Sequence, residues 1–150
     1  MCRCMALVCL SGLLLATLVG CQTRQEAMDP TTRQLHKLTI DLKASDAEVR
    51  REAAVDIREI SSADRKFVRN ALSDAVRDPD PQVRREAAET LRSFGSADAL
   101  TMLKKAANSG YQEAREQYAQ ATGNLRQQAG KGDAHAISVL DKLGEKRITT

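Results

Sequence analysis

The chain has little of what nucleic-acid-binding and cysteine-rich proteins require. Its 150 residues include no tryptophan, two phenylalanines and two tyrosines, and the net charge is only +3. A nucleic-acid-binding surface needs a strongly basic face with aromatic side chains for stacking, so we expect no nucleic acid partner. Beyond position 21 the chain has no cysteine. Disulfides and cysteine metal sites are therefore excluded from the folded part.

Motifs for catalysis and cofactor binding are also missing. His36 and His135 each lack a second metal ligand three or four residues away, which is the spacing of a site on one helix. The serines at 61, 62 and 73 are not in a nucleophile elbow, and there is no glycine-rich phosphate loop. We therefore expect no catalytic residue, no metal, no cofactor and no enzymatic activity.

The N-terminus has the pattern of a secretory leader. Arg3 precedes an apolar run at residues 5–19, and the run ends in the tetrapeptide Leu18-Val19-Gly20-Cys21. A membrane-spanning helix needs about 20 apolar residues, and this run is shorter and interrupted by Ser11 and Gly12. An uncleaved transmembrane anchor is the alternative interpretation.

This segment resembles a bacterial lipoprotein signal peptide, in which the tetrapeptide is the lipobox. The resemblance implies that residues 1–20 are removed and that Cys21 is lipidated. Residues 22–29 are polar and lack periodicity, so we expect residues 21–29 to form the lipidated cysteine and a flexible tether. The resemblance also implies an exported, membrane-anchored protein. In a Gram-negative cell the anchor would lie in the outer membrane facing the periplasm, and otherwise on the outer face of the cell membrane.

An internal repeat organises the remainder. Residues 46–58 align with residues 80–92 at an offset of 34, and eight of thirteen positions are identical. The shared motif, Asp-x-x-Val-Arg-Arg-Glu-Ala-Ala-x-x-Leu/Ile, resembles the first helix of short bacterial HEAT repeats, a type also found in phycobilisome lyases. A tetratricopeptide repeat has a similar period, but its Trp, Leu-Gly and Tyr positions are absent.

Helical periodicity explains the repeated residue types. The apolar positions of each copy fall on one side of a helix, and the charged positions cover the rest; the first copy contributes Val49, Ala53, Ile57 and Ile60, and the second Val83, Ala87, Thr90, Leu91 and Phe94. Asp80-Pro81 predicts a helix start, Ser45 and Glu48 a capping box, and Gly95 a helix end. We expect the repeated arginines to form a surface ladder with Glu52, Glu86 and Glu89; they are Arg50, Arg51, Arg84 and Arg85.

These patterns predict an all-α fold, a short α-solenoid of antiparallel helical hairpins like a HEAT superhelix, spanning residues 30–148. The repeats cover about 46–78 and 80–109, with second helices at 64–77 and 97–108. A capping helix at 31–44 precedes them. A degenerate C-terminal unit at 110–148 follows, with helices at 111–122 and 133–146 joined by a link at 123–132.

The second helix of each repeat has a basic polar face. The first contributes Arg65, Lys66, Arg69 and Arg77, and the second contributes Lys104 and Lys105 with Thr101 and Asn108. The resemblance implies that second helices line the concave side of the stack, where a ligand segment docks. We therefore expect these cations to bind a protein partner, either an acidic peptide or another envelope component. An ordinary solvated polar face is the alternative.

Together these observations predict a lipoprotein anchored to membrane lipid through Cys21, whose repeats form a protein interaction scaffold. Two alternatives stay open. One is an enzyme or accessory subunit, because the lyase relatives handle a tetrapyrrole chromophore. The other is a purely structural envelope protein.

Overall fold

The computed structural model describes residues 29–60 and 65–145. Within these ranges the chain forms seven α-helices and no strand, which confirms the predicted all-α solenoid class. The helices are α1 (Pro30–Asp41), α2 (Ala47–Ile60), α3 (Lys66–Ala75), α4 (Pro81–Phe94), α5 (Ala97–Asn108), α6 (Gln112–Gly130) and α7 (Ala134–Leu143). The predicted leader at 1–20, Cys21, the tether up to residue 28, and the serines at 61 and 62 lie outside the described residues.

The helices pack in two layers. The first-helix layer consists of α2, α4 and α6, each packed against the next, and the second-helix layer consists of α1, α3, α5 and α7 in the same way. The helix α1 contacts both α2 and α3, so it covers the N-terminal end of the described stack. Each helix buries its apolar stripe between the layers, as a stack of repeats requires.

The core is aliphatic and rich in alanine. Fully buried leucines and isoleucine come from both layers, among them Leu35, Ile57, Leu72, Leu91, Leu100 and Leu140. The paired alanines of the repeat motif are also buried, which brings neighbouring first helices close together. Thr90 uses this proximity, because its buried hydroxyl donates to the Ala54 carbonyl oxygen at 2.9 Å and so joins α4 to α2.

One residue of the predicted apolar faces is exposed rather than buried. Val49 is 40% exposed, although its counterpart Val83 is fully buried. The reason is its place in the stack: α4 has a first-layer neighbour on each side, whereas α2 has one on a single side among the described residues. Periodicity within one helix is the same in both copies and cannot distinguish them.

The predicted link at 123–132 is also wrong, because α6 continues without a break from Gln112 to Gly130. Glycine inside a helix costs about 1 kcal/mol relative to alanine. Continuing the helix, however, buries Leu125 and part of Ala129 against the core. Burial of a leucine contributes about 2 kcal/mol, which exceeds the cost of Gly123.

The helix ends use the expected chemistry at α4 and a different residue at α2. The Asp80 carboxylate accepts from the backbone N–H groups of Gln82 and Val83, and Gly95 ends α4 with a left-handed φ of 64°. At α2 the predicted capping box is wrong. Asp46, the repeat equivalent of Asp80, accepts from the Glu48 N–H at 2.8 Å.

The repeated arginines connect successive units. Arg50 donates from Nε and Nη2 to the Asp78 carboxylate at 2.7 and 2.9 Å, and from Nη1 to the carbonyl oxygens of Ala44 and Ser45. Arg84 repeats this geometry 34 residues later: it donates to the Glu113 carboxylate at 3.1 and 2.8 Å and to the carbonyl oxygens of Asp78 and Pro79, both at 3.0 Å. We call these two sets of contacts the arginine clamps.

The clamps correct the prediction of a surface ladder. The carboxylates that Arg50 and Arg84 bind lie 28 and 29 residues further along the chain, in the turn before α4 and in the first turn of α6. Glu86 and Glu89 pair instead with Arg58 of the preceding first helix, each at 3.2 Å. Arg51 pairs with Glu48 on its own helix. Arg50, Arg58 and Arg84 therefore connect successive repeats, whereas Arg51 pairs within its own helix.

The clamps also change the acidity of their carboxylates. Hydrogen bonds from Arg84 hold the pKa of Glu113 below its ordinary value. Burial works to raise the pKa of Asp78, but hydrogen bonds from Arg50 and the Asp80 N–H outweigh it, so this pKa is also lowered. Both carboxylates are therefore stabilised in the ionised form.

We expect Arg84→Ala to lower the free energy of unfolding by about 1.5 kcal/mol, since it removes four hydrogen bonds at a partly exposed site. Arg85→Ala is the matched control, because its exposed side chain follows Arg84 on the same helix and we expect a change within about 0.5 kcal/mol. Urea unfolding followed by circular dichroism measures both variants. Equal effects would show that the clamp does not hold the repeats together.

Acid should weaken the fold through the same groups. Carboxylates whose folded pKa is lowered contribute stability that is present above their unfolded pKa of about 4 and is lost as the pH falls through the folded pKa. We therefore expect the urea midpoint of the wild-type chain to fall between about pH 5 and pH 3, and Arg84→Ala to flatten this decline while Arg85→Ala keeps it. An Arg84→Ala chain with the full wild-type acid dependence would contradict the assignment to Glu113.

Candidate functional site

A groove opens between α1 and α3 in the second-helix layer. Its volume is about 540 Å³, and its lining includes His36, Ile40, Phe67, Asn70, Ala71 and Asp74. The His36 ring stacks on the Phe67 ring, with centroids 4.2 Å apart and planes inclined by 9°. Ile40 is 70% exposed, the most exposed large apolar side chain among the described residues. We call this feature the α1/α3 groove.

Local helical geometry places these side chains together. In α1 the leucines at positions 35 and 38 face the core, so His36 and Ile40, four residues apart, share another side of the helix. In α3 Phe67 and Ala71 have the same spacing and are partly buried against the core. Asp41, Lys43 and Asp74 also line the groove. The result is an apolar floor with charged residues of both signs beside it.

The structure does not gather the six predicted partner-binding cations at one place. Arg65 donates to the Thr32 hydroxyl of α1, and Arg69 pairs with Asp98 of α5 at 3.0 Å. Arg77 donates to the Ser73 carbonyl oxygen one turn earlier. Lys66 and Lys105 are exposed.

The sixth cation, Lys104, belongs to a charged cluster at the end of α7. The Glu145 carboxylate accepts hydrogen bonds from Lys104 Nζ at 3.0 Å, the Tyr118 hydroxyl at 2.7 Å and Arg126 Nη2 at 2.7 Å. Lys104 Nζ also donates to the Leu143 carbonyl oxygen at 2.8 Å. We call this arrangement the Glu145 cluster.

The cluster perturbs both of its acidic groups. The hydrogen bonds from Tyr118 and then Lys104 lower the pKa of Glu145. Burial, followed by the hydrogen bond to Glu145, raises the pKa of the Tyr118 hydroxyl. At neutral pH the site therefore holds a carboxylate, a protonated phenol and two cations.

Sequence reasoning missed both the groove and the cluster. A signal for the groove was present, because Ile40 lies off the stripe formed by Leu35, Leu38 and Leu42 and a stricter wheel would have placed it outside. No comparable signal existed for the cluster. Its members come from α5, α6 and the residue after Gly144, with sequence separations of 19 to 41 residues.

Within the described part of the chain, no group of three or more His, Cys, Asp or Glu side chains is placed to hold a metal ion. His135 lies in the first turn of α7 and is exposed. Of the helices described, none combines the length and apolar character needed to cross a bilayer.

Comparison with known proteins agrees with the architecture. The family model for HEAT repeats matches residues 35–123, a span that runs from α1 into α6. Comparison with curated proteins finds no match. The repeated first-helix motif, the two helical layers and the matched span together show that this chain belongs to the HEAT-repeat family.

Proposed function

We propose that this protein is a lipid-anchored, non-catalytic scaffold that holds a protein partner on its second-helix layer. Membership of the HEAT-repeat family supports the scaffold part, because such repeats build helical surfaces for protein interaction. The anchor and the partner go beyond the family, and each rests on its own observations.

The α1/α3 groove carries the partner proposal. Single exposed apolar residues are common on protein surfaces. Ile40 differs because it adjoins a concave, partly apolar groove with polar groups at its edge, which is the usual form of a binding site. Burying Ile40 under a partner's apolar side chain would contribute up to about 2 kcal/mol.

The N-terminal sequence supports the anchor. Residues 5–19 and the tetrapeptide ending at Cys21 have the order that lipid attachment requires. One acyl chain gives marginal, reversible membrane binding, so stable anchoring needs the two or three chains of a bacterial lipoprotein. Seven residues lie between Cys21 and Asp29, so eight Cα–Cα steps limit their separation to about 28 Å. The anchor would therefore keep α1, and with it the groove, close to the membrane surface.

Replacing Cys21 with serine tests the anchor. We expect Cys21→Ser to leave the membrane fraction of the native host, because the hydroxyl cannot form the thioether. The wild-type protein from membranes should lack residues 1–20 and carry added acyl mass at Cys21. Fractionation and intact-mass spectrometry measure both properties. A wild-type protein with its leader attached and an unmodified Cys21 would refute the lipoprotein proposal while leaving the scaffold untouched.

Replacing Ile40 with aspartate tests the partner surface. We expect Ile40→Asp to reduce saturable, crosslinked capture of the partner by the membrane-anchored protein at least tenfold, because a charge enters the apolar contact. Val49→Asp is the matched control, since Val49 is also exposed but lies on α2 in the other layer. Quantitative mass spectrometry of the crosslinked material measures the capture.

Other outcomes of this experiment contradict the proposal. Equal loss in the two variants would mean that the groove is not the docking surface. A wild-type protein without any saturable partner would instead indicate a structural envelope protein. In a separate assay of the purified protein, turnover of a small molecule that a single side-chain change abolishes would indicate an enzyme.

A further inference from the structure

We infer that Lys104, Tyr118 and Arg126 form a receptor for a carboxylate of the partner, and that Glu145 occupies this receptor when no partner is bound. The inference deepens the proposed function and rests on it, since it names the chemistry of a partner segment on the same scaffold. The ligand is an acidic peptide segment, and its Asp or Glu carboxylate replaces that of Glu145.

The donors surround one carboxylate from three directions. The Glu145 Oε1 atom accepts from Lys104 Nζ and the Tyr118 hydroxyl, and Oε2 accepts from Arg126 Nη2. Two charged donors and one neutral donor are the groups that bind carboxylates most strongly in proteins. An aspartate or glutamate of another chain could accept the same three hydrogen bonds.

Lys104 and Tyr118 have contacts other than Glu145. Lys104 Nζ also donates to the Leu143 carbonyl oxygen, and its ammonium lies 5.9 Å from the centroid of the Tyr118 ring. Tyr118 and Arg126 both belong to α6, which packs against α5 and α7. Donors that are already partly held in place lose less conformational entropy when a ligand binds.

Glu145 can leave by rotation of its side chain alone. Its backbone N–H donates to the Leu140 carbonyl oxygen at 3.0 Å and follows the left-handed Gly144, so the helix end stays closed. The Glu145 side chain is about one-fifth exposed, and the side chains of Lys104 and Arg126 are each about one-third exposed. An incoming chain can therefore reach these donors from solvent. Two cations, Lys104 and Arg126, face the Glu145 carboxylate, so an acidic segment meets complementary charge once the Glu145 side chain has moved away.

Direct binding of an acidic peptide tests the inference. The probe is a fluorescein-labelled hexaglutamate, and the protein is the full chain purified in neutral detergent. We expect Glu145→Gln to bind the probe about fivefold more tightly than the wild type at low salt, because the internal competitor has lost its charge. Adding Arg126→Gln to this variant should remove the gain.

Glu116→Gln is the matched control. Glu116 is exposed on α6 and accepts from Gln112, so its replacement makes the same change in net charge outside the receptor. We expect less than a twofold effect on peptide affinity. Equal gains in affinity for Glu116→Gln and Glu145→Gln would mean that net charge alone explains the result, and this would overturn the inference. A gain in affinity that persists when Arg126→Gln is added to Glu145→Gln would also overturn it.

The wild-type chain supplies a second measurement in case Glu145→Gln fails to fold. In the wild-type background, Lys104→Met should weaken hexaglutamate binding at least threefold relative to Lys105→Met, which removes an exposed lysine at the next position. Equal effects would overturn the receptor. If hexaglutamate results are negative while Ile40 still governs partner capture, the receptor is wrong and the scaffold proposal stands. If partner capture is absent, the scaffold proposal fails independently of the peptide data.

Discussion

The arginine near the start of each first helix sets how the repeats stack. Its planar guanidinium satisfies two carbonyl oxygens in the turn before its own helix and, at the same time, a carboxylate from the following unit. Asp78 takes part in both clamps, because its carboxylate binds Arg50 and its carbonyl oxygen accepts from Arg84. Hydrogen bonds therefore run without interruption from α2 to α6. Lysine could not replace arginine here, since the geometry requires several donors in one plane.

Because of this constraint, the first-helix layer and the second-helix layer have different roles in the stack. First helices are committed to stacking through their clamps and buried alanines, so their motif repeats with little change. Second helices have no such motif, and individual polar contacts add to their apolar packing: Arg65 to α1, Arg69 to α5, and Lys104 to the end of α7. Their remaining surface is free to differ from unit to unit.

The sequence predicted the elements that depend on local periodicity and missed those that depend on neighbours. The repeat alone was enough to place α2, α4 and the buried positions Ala53, Ile57 and Leu91. It failed at Val49, because exposure there depends on which helix lies alongside, and at Gly123, because burial of Leu125 outweighs a local helix-breaking preference. It also paired the arginines with glutamates on their own helices, since a helical wheel shows only near neighbours. The Glu145 cluster joins residues up to 41 positions apart, beyond any local pattern.

The difference between local pattern and contacts with neighbouring helices also matters for the basic residues of the second helices. Counting cations on a wheel suggested a continuous basic face, but Arg69 and Lys104 are neutralised by Asp98 and Glu145 within the chain. Paired charges contribute little to long-range attraction. Under the proposed function, a partner is therefore selected by the groups of the second helices that are not neutralised within the chain. What remains is the exposed Lys66 and Lys105, the hydrogen-bond donors of the Glu145 cluster and an apolar floor in the α1/α3 groove. Under the proposed function, apolar burial supplies affinity at any ionic strength, and displacement of Glu145 adds a requirement for a carboxylate. Under the same proposal, a partner that satisfies only one of the two sites would bind more weakly than one that satisfies both, so specificity would come from their combination rather than from the number of basic residues.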